Sequence, residues 1–452
     1  MKLKNMSLND ILGLVTAVFV ALMMTCYLLY AGTFGFQNIA NAKYSAFLTI
    51  CGGYVALMAL LAVEAVLIGG VKMPSARKMI AGSTWPQRLA VIYMLLTWLS
   101  ALLSPHFPAT ITGVSRSEGA LTITIYCAVF LLLSVCGEVR RWMLPVLAAA
   151  ATVFDIICIL QLYGLNPLSL YPEGYDYFGK NVDYSGAYLG TIGNVDLVAA
   201  FLCLAIPLFW VSLIRMSGRK KWLLLIPLGL SVFVLLKMWV LAGLVGVFAG
   251  GAVALCAVLP ASAATRRKLW FLLAGCAVGA LALLYFATPG SGMFHEIHLL
   301  LHGKAEDTFG SGRIYIWRNV LQRVPDQFWL GSGPDTMALA GIEPFTKYNE
   351  NLNMMLVAEI DMAHNEYLNV LFHQGVFAFA AYLGMLVLLA VKWLRRASTV
   401  PAVAVLGSAA ACYCVQAFFG FSLCMTAPFF WMVLGLLEAS CKDSLNGGKK
   451  LC

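Results

Sequence analysis

Phe309-Gly310-Ser311-Gly312-Arg313-Ile314-Tyr315-Ile316-Trp317, Gly331-Ser332-Gly333-Pro334-Asp335 and Asp361-Met362-Ala363-His364-Asn365-Glu366-Tyr367-Leu368-Asn369 share one stretch, residues 289–369, between two very hydrophobic blocks. Those blocks decide the fold. Of 452 residues, 61% are hydrophobic and 11% charged, and the mean hydropathy is +0.84. A soluble globular chain carries about a quarter charged residues. Apolar runs recur, each long enough to cross a hydrocarbon core of about 30 Å as a helix. The first, residues 11–30, is too long for a signal-peptide core and lacks a small-residue cleavage pattern, so it reads as a retained helix. The chain is an all-α, polytopic membrane helix bundle.

The runs predict twelve transmembrane helices, at about 11–31, 45–71, 89–104, 119–137, 143–164, 196–214, 222–236, 238–259, 269–287, 369–391, 400–419 and 426–440. Residues 1–287 then hold nine helices. Residues 288–368 form an extracytoplasmic catalytic loop with short interfacial helices, and 369–452 hold the last three helices and a cytoplasmic tail. Most of the 30 Lys and Arg fall in alternate linkers: Arg77, Lys78 and Arg88; Arg140 and Arg141; Arg215 to Lys221; Arg266 to Lys268; Lys392 to Arg396. Basic excess marks the cytoplasmic face, so both termini lie inside and the long loop outside. The net charge of +9 is therefore a topology signal and excludes a nucleic-acid footprint. The 13 cysteines lie in apolar runs or near the C-terminus, without a Cys-x-x-Cys pair, and read as small buried hydrophobes.

Three outer segments are long: 104–118, 164–194 and 289–368. The second carries Tyr171, Tyr175, Tyr177, Phe178, Tyr184 and Tyr188 and is expected against the membrane surface. Residues 314–324 space their apolar side chains by three and four, which predicts an amphipathic helix on the bilayer or the bundle.

Chemistry is sought where polar groups gather. Gly312-Arg313 opens that helix, where a guanidinium and unpaired amides can clamp phosphate; an ordinary solvated arginine is the plainer reading. Arg318 and Arg323 fit the solvated face. His364 stands at the mouth of the tenth transmembrane helix, and an imidazole there suits a general base acting on a sugar hydroxyl. Asp361, three residues earlier, is placed to hold its other nitrogen. The plainer reading is an interfacial anchor. His295, His298 and His302 would share one helix face, as metal ligands or as a polar stripe. Glu64 and Asp155 lie inside transmembrane helices, in an ion pathway or in hydrogen bonds of the bundle.

Taken in order, these pieces resemble the bacterial O-antigen ligase and polymerase group. The resemblance rests on Ser311-Gly-Arg-x-x-x-Trp317, Gly331-Ser-Gly333, His364-Asn-x-x-Leu368 and Gly375 in the long loop and just after it. Upstream it rests on Ser104-Pro105, Arg116-Ser-Glu-Gly119 and Thr191-Ile-Gly-Asn194-Val-Asp196. It implies an integral membrane glycosyltransferase, metal-independent and without cofactor, in the cytoplasmic membrane with its active site outside. The donor would be a glycan on undecaprenyl pyrophosphate, and the acceptor a hydroxyl of a lipid- or surface-linked glycan. Ligation and polymerisation of a surface polysaccharide share this chemistry. By the resemblance His364 is the base, and Arg313 and Arg116 hold the pyrophosphate. Where the family carries Ser-Arg-Gly, this chain has Val240-Leu241-Ala242, and Lys237 one turn earlier is the nearest cation to take that place. A transporter using Glu64 and Asp155 is the competing class; it would concentrate its polar groups at the midplane.

Overall fold

The structure is a computed structural model and describes residues 7–33, 35–71, 75–170, 188–259, 261–287, 289–290, 293–307, 309–349 and 354–443. α1 (Leu8–Leu22) opens on Ser7, whose hydroxyl accepts the Asp10 amide while the Asp10 carboxylate accepts that of Ser7. This reciprocal cap satisfies two orphan donors. α2 (Ile39–Phe47) runs through a π turn into α3 (Gly53–Leu67), and short α4 (Ala76–Gly82) precedes α5 (Trp85–Leu103). α6 (Ala120–Cys136) and α7 (Met143–Leu162) follow. A two-residue ladder, β1 (Tyr188–Leu189) with β2 (Gly193–Asn194), leads into α8 (Val195–Arg215). Then come α9 (Leu225–Met238), α10 (Leu241–Val258) and α11 (Ala263–Phe286).

The long loop holds α12 (Met293–Leu301), α13 (Phe309–Arg323) and an antiparallel hairpin, β3 (Phe345–Asn349) with β4 (Met354–Ala358). α14 (Glu366–Arg396), α15 (Pro401–Gln416) and α16 (Ala427–Asp443) close the chain. A helix occupies each of the predicted segments. Among the described residues nine helical spans are long and apolar enough to cross a membrane, with α6 and α15 shorter. The hairpin was not predicted, and α13 begins earlier than the apolar spacing indicated. Of the aromatic segment expected at the membrane surface, Tyr171, Tyr175, Tyr177, Phe178 and Tyr184 lie outside the described residues, and Tyr188 is buried in β1.

α8 is the hub. Ala199, Ala200, Cys203 and Ala205 alternate with larger apolar residues, so α10 and α15 approach closely on one side and α9 on another. In its most apolar window 83% of residues are buried, whereas none of α11's are. α11 shows Phe271, Leu272, Leu283 and Phe286 outward, as a helix does when lipid is its solvent. The basic connectors meet at one end: Arg215 donates to the carbonyls of Val258 and Ser398, and Arg396 donates to that of Cys441. Of the carboxylates expected inside the spans, Asp155 accepts from Ser231 at 2.6 Å between α7 and α9, while Glu64 is exposed on α3.

At the opposite, loop-bearing end α14 is interrupted. Gly375 has φ +78°, ψ 177°, which breaks the ladder and frees nearby backbone groups. Residues 328–333 fill the gap. The amides of Ser332 and Gly333 donate to the carbonyls of Phe372 and His373 at 3.0 and 2.9 Å, and the Val376 amide donates to Phe328 at 2.9 Å. The two backbones touch so closely that a Cβ on Gly375 would meet the Trp329 carbonyl oxygen at 2.4 Å, and one on Gly331 the carbonyl of His373 at 2.4 Å. Ser104 Oγ, at the end of α5, donates to the Ser332 carbonyl at 2.6 Å and ties the strap to a third element.

Candidate active site

Four segments converge at the loop end. The first is the turn 113–119. Its Arg116 amide donates to Asp335 Oδ2 at 2.8 Å, as does that of Ser115 at 3.0 Å, and the Ser115 hydroxyl donates to Asp335 Oδ1 at 2.9 Å. Asp335 is buried and left-handed, φ +59°. It links the strap to the turn and so fixes where Arg116 points. Glu118, two residues on, accepts from the Tyr126 hydroxyl at 2.9 Å and the Cys424 amide at 2.6 Å. Burial pushes its carboxyl well up.

The second segment is the start of α8. Asn194 caps it by accepting the amides of Asp196 and Leu197, which leaves the Asp196 carboxylate free to face the site.

The third is the start of α13. Gly310 and Gly312 have φ of +56° and +87°, so the regular turn begins at Arg313. A Cβ on Gly312 would stand 2.9 Å from the Phe345 ring of the hairpin. Arg313 Nε donates to the Phe419 carbonyl at 3.0 Å and Nη1 to that of Gly310 at 2.5 Å, while Nη2 lies 3.7 Å from Asp196 Oδ2. Trp317, one turn along, donates its Nε1–H to the Ala363 carbonyl at 2.8 Å.

The fourth is the entry to α14. His364 has φ +48°, a strained conformation for a side chain of that size. It is held from both sides. Ala363 is fixed by Trp317 and by its own amide donating to Asn369 Oδ1 at 2.8 Å, and Asn365 caps the helix by accepting the Leu368 amide at 3.0 Å. The ring sits edge-on to Phe421 at 5.0 Å. Its Nδ1 lies 4.0 Å from Asp196 Oδ2 and has no hydrogen-bond partner among the described residues. Asp361, expected to hold that nitrogen, is engaged elsewhere: its Oδ2 accepts from Arg116 Nε at 2.6 Å. That pairing is corrected by the structure, and Asp196 is the carboxylate beside the imidazole.

Burial and the Arg313 charge lower the His364 pKa below its ordinary value, and Asp196 and Asp361 partly oppose them; Arg116 also acts to lower it. The imidazole is thus neutral near pH 7, with two guanidiniums in electrostatic reach. Behind it a cavity of about 50 Å³, roomy enough for a few waters, is lined by Glu118, Asp335, Glu366, Asn369, His373 and Gln374 together with apolar and aromatic side chains.

The structure brings together His364, Arg313, Arg116 and Asp361. No contact joins Lys237 to them among the described residues: this exposed side chain, in the last turn of α9, lies 5.8 Å from the Tyr163 ring. On α12, His295 and His298 direct Nδ1 at the carbonyls of Pro289 and Leu284, and the rings of His298 and His302 lie 4.2 Å apart. Asp196 was not singled out from the sequence as a functional residue. The available signal was a carboxylate two residues past an Asn cap at the mouth of an apolar helix.

Residues 197–383 match the family described as O-antigen ligase, a span that contains Arg313, Asp361 and His364 and begins one residue after Asp196. No curated protein matches the chain.

Proposed function

We propose, from the premise that residues 197–383 place this multi-pass membrane protein in the O-antigen ligase family, that its loop end joins a lipid-linked glycan to a hydroxyl. The donor is a glycan on undecaprenyl pyrophosphate. The acceptor is a sugar hydroxyl of a lipid- or surface-linked glycan, and the reaction takes place on the outer side of the cytoplasmic membrane. The observation that carries this reading is the gathering of Arg313 and His364 around Asp196, at 3.7 and 4.0 Å, with His364 on a strained, clamped turn.

The chemistry follows from those groups. With Nδ1 turned to Asp196, the other ring nitrogen of His364 accepts the acceptor's proton, and the hydroxyl oxygen attacks the anomeric carbon. The bond to the diphosphate breaks on the opposite face and inverts that carbon. The electron pair leaves on the diphosphate, whose charge Arg313 and Arg116 stabilise. Asp196, 4.0 Å from Nδ1, steadies the imidazolium as it forms. Guanidiniums supply the charge neutralisation for which other transferases use a metal. Ligation and polymerisation differ here only in which glycan presents the hydroxyl.

The test is reconstitution of the purified protein with a lipid-linked oligosaccharide and both kinds of acceptor, following glycan transfer and diphosphate release in the presence of EDTA. Donor that stays intact with every hydroxyl acceptor overturns the proposal. For sidedness, a cysteine at Glu343, exposed in the long loop, should react with an impermeant thiol reagent added outside; labelling only from inside would reverse the topology.

A further inference from the structure

α7, α8, α15 and α16, with Met24 just after α1, line a second, half-open cavity of about 480 Å³, away from the transfer site. Its walls are hydrocarbon, chiefly Leu147, Phe201, Leu204, Leu208, Met432 and Leu436, all buried. Along α8 the lining runs from Phe201 to Arg215, about 21 Å at 1.5 Å per residue. At its basic end the chemistry changes. Arg140, Arg141 and Arg215 stand at the mouth, with Val139 and Met216 exposed beside them.

The charge there is poorly matched. Arg215 is bonded to two neutral carbonyls, Arg140 lies 3.6 Å from Glu138, and Arg141 is exposed with no hydrogen bond or ion pair among the described residues. α7 and α15 also begin at this mouth, both without a side-chain cap, and add the positive ends of two helices. Protein interiors keep few voids larger than a water molecule, and water does not settle among hydrocarbon walls without polar partners. In a bilayer the filler at hand is a lipid chain. We propose that this cavity takes an acyl chain of an anionic phospholipid whose phosphate sits among Arg140, Arg141 and Arg215, as basic pockets between membrane helices do for anionic head groups. A donor seated at Arg116 and Arg313 would present its head group at the opposite end of the bundle.

The test uses the full-length protein in nanodiscs of phosphatidylglycerol and phosphatidylcholine in equal parts, extracted into detergent, with retained lipid read by native mass spectrometry. Phosphatidylglycerol should be retained preferentially. Arg141→Gln should lower that preference by about fivefold, as removal of one interfacial arginine does. Ala205→Phe, which fills the cavity from α8 and leaves its charge untouched, should abolish retention of both lipids. If Ala205→Phe does not fold, the exposed Arg141 variant decides alone. Equal retention of the two lipids by the unaltered protein overturns the proposal, and so does an unchanged preference in Arg141→Gln. Preferential retention of added undecaprenyl phosphate over phosphatidylglycerol also overturns it, because the cavity would then belong to the donor's lipid.

Discussion

Arg313 and Arg116 both stand at the loop end, yet they are held in opposite ways. Arg313 is 17% exposed and fixed by neutral carbonyls, with its nearest carboxylate 3.7 Å away. Arg116 is 46% exposed and bonded directly to Asp361 at 2.6 Å. Carbonyls position a guanidinium without cancelling its charge, whereas a bonded carboxylate does both. Arg313 is thus ready for an anion as it stands. In the proposed reaction Arg116 would exchange Asp361 for the diphosphate, a modest cost because an exposed pair is worth about 1 kcal/mol or less. Under the proposed reaction, the difference suits Arg313 to the charge that develops on the leaving group and Arg116 to capture of the donor.

The largest expected effect lies on the Arg313 side. His364→Ala should lower single-turnover transfer by about 10²–10⁴-fold, the range for loss of a general base, with the protein still monodisperse. Transfer also depends on pH through this residue. Its pKa is lowered from 6.5, so the neutral base persists somewhat below that pH and activity falls only as pH drops through the lowered value. Arg313→Gln should move that acid limb upward and Asp196→Asn should move it further down. A limb that stays put in both variants removes His364 from the mechanism.

Next in size, Arg313→Gln should reduce kcat by about 10²–10³-fold, while Arg116→Gln should act mainly on KM for the donor, by about tenfold, as loss of binding made equally in both states does. Equal kcat losses in the two variants would break the distinction between them. Smaller still, Asp361→Asn should tighten the donor up to about fivefold by releasing Arg116. Weaker donor binding in that variant would show that Asp361 orients Arg116 more than it competes for it. Lys237→Gln closes the series, with donor KM and kcat within about twofold, as expected of a lysine that marks a helix end; a larger loss would bring Lys237 into the clamp.

Much of this was legible in the sequence. Hydropathy located the helices, and the glycines of 310–312, 331–333 and 375 marked where the backbone departs from regular structure. His364 and Arg313 stood out where polar groups gather in the long loop, and Arg116 came from the family resemblance. The partners did not. Asp361 precedes His364 by three residues, a spacing that joins side chains only on a helix, and the backbone at His364 is left-handed instead. Asp196 reaches the ring through the packing of α8 against the rest of the bundle, which periodicity within one helix does not encode. The hairpin of 345–349 with 354–358 escaped for a related reason: its pairing is internal to the loop, and its strands lack a clean alternation of polar and apolar residues.

The strap at Gly375 bears on how relatives can be recombined. Division of the chain into residues 1–287, 288–368 and 369–452 treats the long loop as a detachable module, but the bonds from Ser332 and Gly333 to Phe372 and His373, and from Val376 back to Phe328, cross that cut. A chimera that imports a foreign loop and keeps the native helix would splice one half of a joint to another protein's half, leaving buried backbone carbonyls without their donors. Exchange units that respect the molecule run from the loop through at least Val376, and the turn around Arg116, locked to Asp335, has to travel with them.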